Sequence, residues 1–179
     1  MLDFTETGIA GLVRVETGAH EDARGAFMRL FCPQEFEAAG IVFPSSQINL
    51  STNHRRHTLR GMHWQDPPHA EAKIVRVVAG AIFDVVADLR PDSPSYGKWE
   101  GFDLSAENRR ALVIPQGCAH GFLTLADDTS VLYQMDRLHV PGQARGFRYD
   151  DPAFAIDWPA EPAVISEADL AWPAFTREA

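Results

Sequence analysis

Apolar and polar positions alternate along this chain in short runs, and Gly, Pro or paired acidic residues separate the runs. Period-two alternation bounded by turn residues predicts β-strands. Gly11 to Glu16 reads as a first strand and His20 to Gly25 as a polar turn. Ala26 to Cys32 reads as a second strand. Pro33 to Gly40 is a short helix at best, with Pro early and Gly after its end. In Ser46 to Asn53, Gln47, Asn49 and Ser51 face one way, and Ile48 and Leu50 the other. Such a polar row marks a wet pocket or plain solvent, and solvent is the default.

Thr58 to Arg90 reads as strand, Pro-containing loop, strand, Gly turn, strand. Both faces of Ala81 to Leu89 are largely apolar, which places this strand between two layers. Asp84 is then a buried carboxylate in need of partners. Asp88, near the strand end, is expected to reach water. Further strands are predicted at Trp99 to Leu104 and Ala111 to Pro115. Phe122 to Leu125 and Ser130 to Met135 read as a hairpin around Asp127 and Asp128. Phe147 to Ile156 is irregular. The tail from Trp158 lacks periodicity, although Ser166 to Leu170 carries the signal of one capped helical turn. Many short strands without a long helix predict an all-β sandwich or barrel.

Composition narrows the class. The 179 residues fit one domain, 1–179, with no internal repeat or linker. A net charge of −9 without any Lys/Arg run argues against nucleic acid or an anionic membrane as partner. A local cationic pocket for a small anion stays compatible with it. Cys32 and Cys118 form neither a disulfide framework nor a zinc motif. Neither a signal-peptide pattern nor a bilayer-length apolar run is visible, so the expected location is the cytoplasm.

The phrases DARGAF, SQINLS, LRGMHWQDPP, KIVRVVAGAIFDVVADLR, SPSYGKW, LSAENRR, IPQGCAHGFL, VLYQ, DDPAFAIDWP and SEADL occur in that order. Together they resemble the dTDP-4-dehydrorhamnose 3,5-epimerases. The resemblance implies a cupin-type jelly roll with short peripheral helical turns. It also implies epimerisation beside the ketone of a nucleotide-linked 4-keto-6-deoxy sugar. A base removes an α-proton, an enolate forms, and a proton returns to the other face, with no cofactor or metal.

Roles follow from the same resemblance. His63 matches the general base, whose titration near neutrality suits it. Asp169 matches the carboxylate that orients it, which requires the tail to fold back over the barrel. Lys73 matches the cation on the enolate oxygen, and Tyr133 the proton donor across the sugar. Arg60 and His120 match substrate contacts. Strict alternation puts Arg60 and His63 on opposite faces, and a bulge or twist hosted by Gly61 is what would turn both inward. Gln47, Asn49 and Ser51 match a strand contacting sugar and nucleotide. Arg24 matches a diphosphate-binding arginine, often from the neighbouring subunit, and the strands around Arg24 and Phe27 are expected to cross over in a homodimer. Asp84 belongs to the pocket's polar network. On its own each residue also has an ordinary explanation as a core histidine, a solvated lysine, a strand tyrosine or a turn arginine.

Four positions depart from the family pattern. Arg29 stands where a glutamate is usual and His139 where a tyrosine is usual. Ala144 replaces a glutamate, and Ala168 a basic residue. His139 and Arg29 therefore count as substrate-binding candidates with altered character, and a nucleotide other than thymidine is an open alternative. So are epimerisation at one carbon only, a keto-sugar isomerase and a non-catalytic sugar-nucleotide-binding cupin. A metal-dependent cupin is disfavoured, because His63-Trp64-Gln65 lacks the second histidine of a His-x-His pair.

Overall fold

The computed structural model describes residues 1–176. The strands are β1 (Leu2–Glu6), β2 (Val13–Thr17), β3 (Ala19–Asp22), β4 (Gly25–Met28), β5 (Gln47–Asn53), β6 (Leu59–Gln65), β7 (Lys73–Ala79) and β8 (Ala81–Asp88). Then follow β9 (Trp99–Ser105), β10 (Ala111–Ile114), β11 (Cys118–Thr124), β12 (Thr129–Met135) and β13 (Ala144–Gly146). Among the described residues two short helices, α1 (Pro33–Ala38) and α2 (Glu167–Leu170), lie outside them. One sheet runs β1-β2-β10-β7-β12-β5, the other β13-β6-β11-β8-β9, and β3-β4 form a separate hairpin.

The two large sheets face each other as a jelly-roll sandwich. Between them lie Leu12, Val75, Val77, Ile82, Val86, Leu104, Leu112, Ile114, Phe122 and Val131, all buried. Each such Leu, Ile or Phe contributes about 1.5–3 kcal/mol through removal from water. The other face of β8 is covered too. Val85 and Ala87 pack with Met62, Ala119, Phe147 and Phe154 beneath the C-terminal segment. Two covered faces explain why β8 is apolar on both sides. The outer face of the larger sheet is covered by Phe36 of α1 and by Phe43. Pro33 sits in the first turn of α1, where its missing N–H costs nothing.

The structure changes several sequence expectations. Residues 20 to 25 are not only a turn, because His20 to Asp22 pair with Gly25 to Phe27. The strand expected over Ala26 to Cys32 ends at Met28. Strands β1 and β13 were not foreseen. β11 and β12 follow one another but are not a hairpin, since each joins a different sheet. The Asp127-Asp128 turn carries the chain across the sandwich, a course that alternation alone does not distinguish from a hairpin. Asp88 does not reach water and is fully buried. It accepts hydrogen bonds from Arg90, Ser93 and Ser95, which replace solvent around its charge.

Candidate active site

A cavity of roughly 630 Å³ opens between the sheets. His63 and Arg60 on β6 and His120 on β11 line it from the smaller sheet. Lys73 on β7, Tyr133 on β12, and Asn49 and Ser51 on β5 line it from the larger one. Asp169 of α2 and Trp172 close one side.

A break in register brings Arg60 and His63 to the same cavity. Between β6 and β11, His63 pairs with His120 and Arg60 with Phe122. Gly61 and Met62 thus oppose Gly121 alone, a bulge that reverses the alternation. Gly61 has φ of +121°, and a Cβ there would lie 2.5 Å from the Gly121 Cα, so only glycine fits.

His63 Nε2–H donates to Asp169 Oδ1 at 2.5 Å. The other ring nitrogen then carries the lone pair. Ser166 caps α2, its Oγ accepting from the Asp169 N–H at 3.0 Å, as the sequence signal indicated. Burial pushes the Asp169 carboxyl up, but hydrogen bonds from His63, Ser166 and the Gly61 backbone bring it below its ordinary value. It is therefore ionised and orients the imidazole. Trp172 Nε1–H reaches the same oxygen at 3.3 Å, and its ring meets His63 edge-on at 6.0 Å.

Lys73 is not a solvated strand-end lysine. Its side chain is 8% exposed, with the ammonium 3.4 Å from Glu71 Oε1. Tyr133 lies edge-on to His120, with ring centres 6.0 Å apart. Burial, with a contribution from Asp84, pushes its phenol well above the usual range, so it is neutral and bears its proton. His120 Nε2–H donates to Asp84 Oδ2 at 2.8 Å, which supplies the partner the buried carboxylate required. Burial raises the Asp84 carboxyl, and Oδ1 has no partner among the described residues. Arg60 Nε–H donates to Asn53 Oδ1 at 2.8 Å.

The polar row of β5 meets the cavity through Asn49 and Ser51, so the solvent default was wrong for these two. Gln47 stays at the rim, donating to Asn49 and accepting from the His139 N–H. His139, Ala144 and Ala168 also line the cavity. Three candidates lie elsewhere in this chain. Arg24 is held by Asp22 on the projecting β3-β4 hairpin, and Phe27 beside it is 78% exposed. Arg29 pairs with Glu35 near the N-terminus. Sequence reasoning missed Glu71, Gln65 and Trp172. Glu71 sits two residues before Lys73, the same-face spacing of a strand, which was the available signal. Among the described residues, no group of three or more His, Cys, Asp or Glu is arranged to hold a metal ion.

A cupin-type sandwich with an oriented histidine on one wall, and a proton-bearing phenol and a buried ammonium on the other, is built for proton transfer at carbon. The family described as dTDP-4-dehydrorhamnose 3,5-epimerase matches residues 6–177. The Methanothermobacter thermautotrophicus dTDP-4-dehydrorhamnose 3,5-epimerase is 42% identical over 173 residues, covering 94% of this chain and 92% of that protein. A crystal structure of the Bacillus anthracis enzyme with TDP and PPi bound superposes with a TM-score of 0.95 at 35% identity, covering 98% of this chain and 100% of that one. The Legionella pneumophila dTDP-6-deoxy-D-glucose-3,5-epimerase in complex with dTDP-4-keto-L-rhamnose gives 0.91 at 36% identity, covering 96% and 92%. The chain belongs to the dTDP-4-dehydrorhamnose 3,5-epimerase family, and it is an isomerase.

Proposed function

We propose that this protein epimerises C3, C5 or both in a nucleotide-linked 4-keto-6-deoxy sugar during deoxysugar biosynthesis. One observation carries this reading: the His63–Asp169 pair and Tyr133 enter one cavity from different sheets, with Lys73 between them in the chain order. The free nitrogen of His63 takes a proton from the carbon next to the ketone. The C–H electron pair becomes a C=C bond, and the carbonyl electrons move onto oxygen. The Lys73 ammonium stabilises that oxygen, as donors aimed at developing charge do. Tyr133 Oη–H then protonates the opposite face, and the carbonyl re-forms. The histidinium proton leaves to solvent and the tyrosinate regains one, so the cycle balances without redox change. Arg60, His120, Asn49 and Ser51 hold the sugar nucleotide.

The test is turnover of dTDP-, CDP-, UDP- and GDP-linked 4-keto-6-deoxy sugars in D₂O. Deuterium should enter at C3 or C5, and its rate of entry should fall sharply, though measurably, in Lys73→Met and in His63→Ala. If wild-type protein exchanges no proton of any of these sugars, the reading is wrong and a binding role replaces it. A non-thymidine nucleotide is the second reading, favoured because His139, Ala144 and Ala168 all line the cavity. Further parts of the proposal are a single domain over 1–179, a cytoplasmic location and a homodimer in which Arg24 and Phe27 reach the partner. Among the described residues, no helix is long and apolar enough to cross a membrane.

A further inference from the structure

Lys73 has a partner that the reaction above does not use. Its ammonium lies 3.4 Å from Glu71 Oε1, and the two side chains are 8% and 9% exposed. Glu71 Oε2 accepts a hydrogen bond from Gln65 Nε2 at 2.6 Å. Gln65 is itself buried, and its Oε1 has no partner among the described residues. The carboxylate can only accept, so the amide turns its N–H to Glu71 even though its own acceptor is left unsatisfied. Glu71, Gln65 and Lys73 all line the cavity.

We propose that Glu71, braced by Gln65, is the positioning residue of Lys73, holding its ammonium paired and aimed at the enolate oxygen. The inference rests on the reading of Lys73 given above. An ammonium buried without a counter-ion is costly. A flexible four-carbon stem also leaves the charge poorly placed unless something holds it. Glu71 meets both needs, and the Gln65 bond keeps its carboxylate from swinging into the cavity. Lys73 acts on charge that exists only in the transition state. Loss of its positioning therefore appears in kcat and not in KM.

The experiment compares Glu71→Gln, Lys73→Met and the double variant, with solvent deuterium incorporation as the rate. Glu71→Gln keeps the shape and can still accept from Gln65, so it removes the charge alone. The expected result is a fall in kcat of about 10-fold or more with KM within about threefold. Glu71→Asp should recover part of the loss. In the Lys73→Met background, Glu71→Gln should cause no further loss, the signature of a residue acting through another. Equal kcat in Glu71→Gln and wild type overturns the proposal. So does a full-sized loss that persists without Lys73. If wild-type protein turns over no sugar, the function itself is misread and this inference falls with it. That outcome is distinct from an active wild type indifferent to Glu71.

Discussion

Asp169 Oδ1 lies 2.5 Å from Nε2 of His63, although 106 positions separate them in the chain. His63 supplies the base, and Asp169 orients it. A lone imidazole is free to rotate and to swap tautomers, whereas one bound to a carboxylate presents a single basic nitrogen. His63→Ala should lower deuterium exchange by about 10³-fold or more, within the range for loss of a general base. Asp169→Asn should cost less, since it keeps the imidazole and removes the charge that orients it and offsets its protonated form. The ratio of the two exchange rates, measured by NMR, checks this. Equal losses would contradict the assigned roles.

Tyr133→Phe separates removal of a proton from its return. His63 and Lys73 remain, so the substrate α-hydrogen should still wash out into D₂O at a rate within about 10-fold of wild type. Inversion should fall by about 10²-fold or more, because no acid serves the opposite face. The check is the ratio of washout to inverted product. A proportional fall in both would show that Tyr133 is not the acid.

Gly61→Ala tests the bulge. The added Cβ meets the Gly121 backbone at 2.5 Å in a left-handed conformation. A loss of about 2–3 kcal/mol is expected from strain and displacement together. Thermal unfolding measures it. Activity should fall further than stability predicts, since Arg60 and His63 lose their common direction.

Asp88 predicts an acid limit to stability. Burial alone would raise its carboxyl, but bonds from Arg90, Ser93 and Ser95 outweigh that and hold it at about 2, against an ordinary 3.8. A depressed folded value stabilises above the unfolded one and is lost as pH falls through the folded one. The difference corresponds to about 2 kcal/mol at neutral pH, fading between about pH 5 and pH 2. Asp88→Asn should flatten that part of the pH–stability curve, read by denaturant titration.

Most strands were legible because short apolar-rich runs between turn residues mark them, but alternation did not record burial: Ile48 and Leu50 of β5 are 61% and 56% exposed, and β8 is covered on both faces. Pairing was not legible, because a tight turn between β11 and β12 looks alike whether the chain doubles back or crosses to the facing sheet. Asp88 was misplaced for a related reason. Position near a strand end says nothing of the serines that fold over it. In the site, the strand residues His63, Lys73 and Tyr133 arrive together, as the resemblance implied. Asp169 was visible only through that resemblance, since no local pattern links it to His63. The bulge at Gly61 was legible as a contradiction: Arg60 and His63 could share a cavity only if the alternation broke. Glu71 carried a readable signal, same-face spacing with Lys73, but no reason in sequence to expect both to be buried.

The carboxylate that orients the base comes from α2, after the thirteen strands of the described residues. Chains are made from the N-terminus, and domains begin to fold as they emerge. Every strand of the sandwich, with His63, Lys73 and Tyr133 already in it, is therefore synthesised before Asp169 and Trp172. A nascent sandwich can gather the sugar-contacting side chains while its imidazole is still unoriented. Competence for catalysis thus waits on the segment that follows the last described strand, and a chain stalled before residue 166 would hold a cavity whose base is not yet oriented.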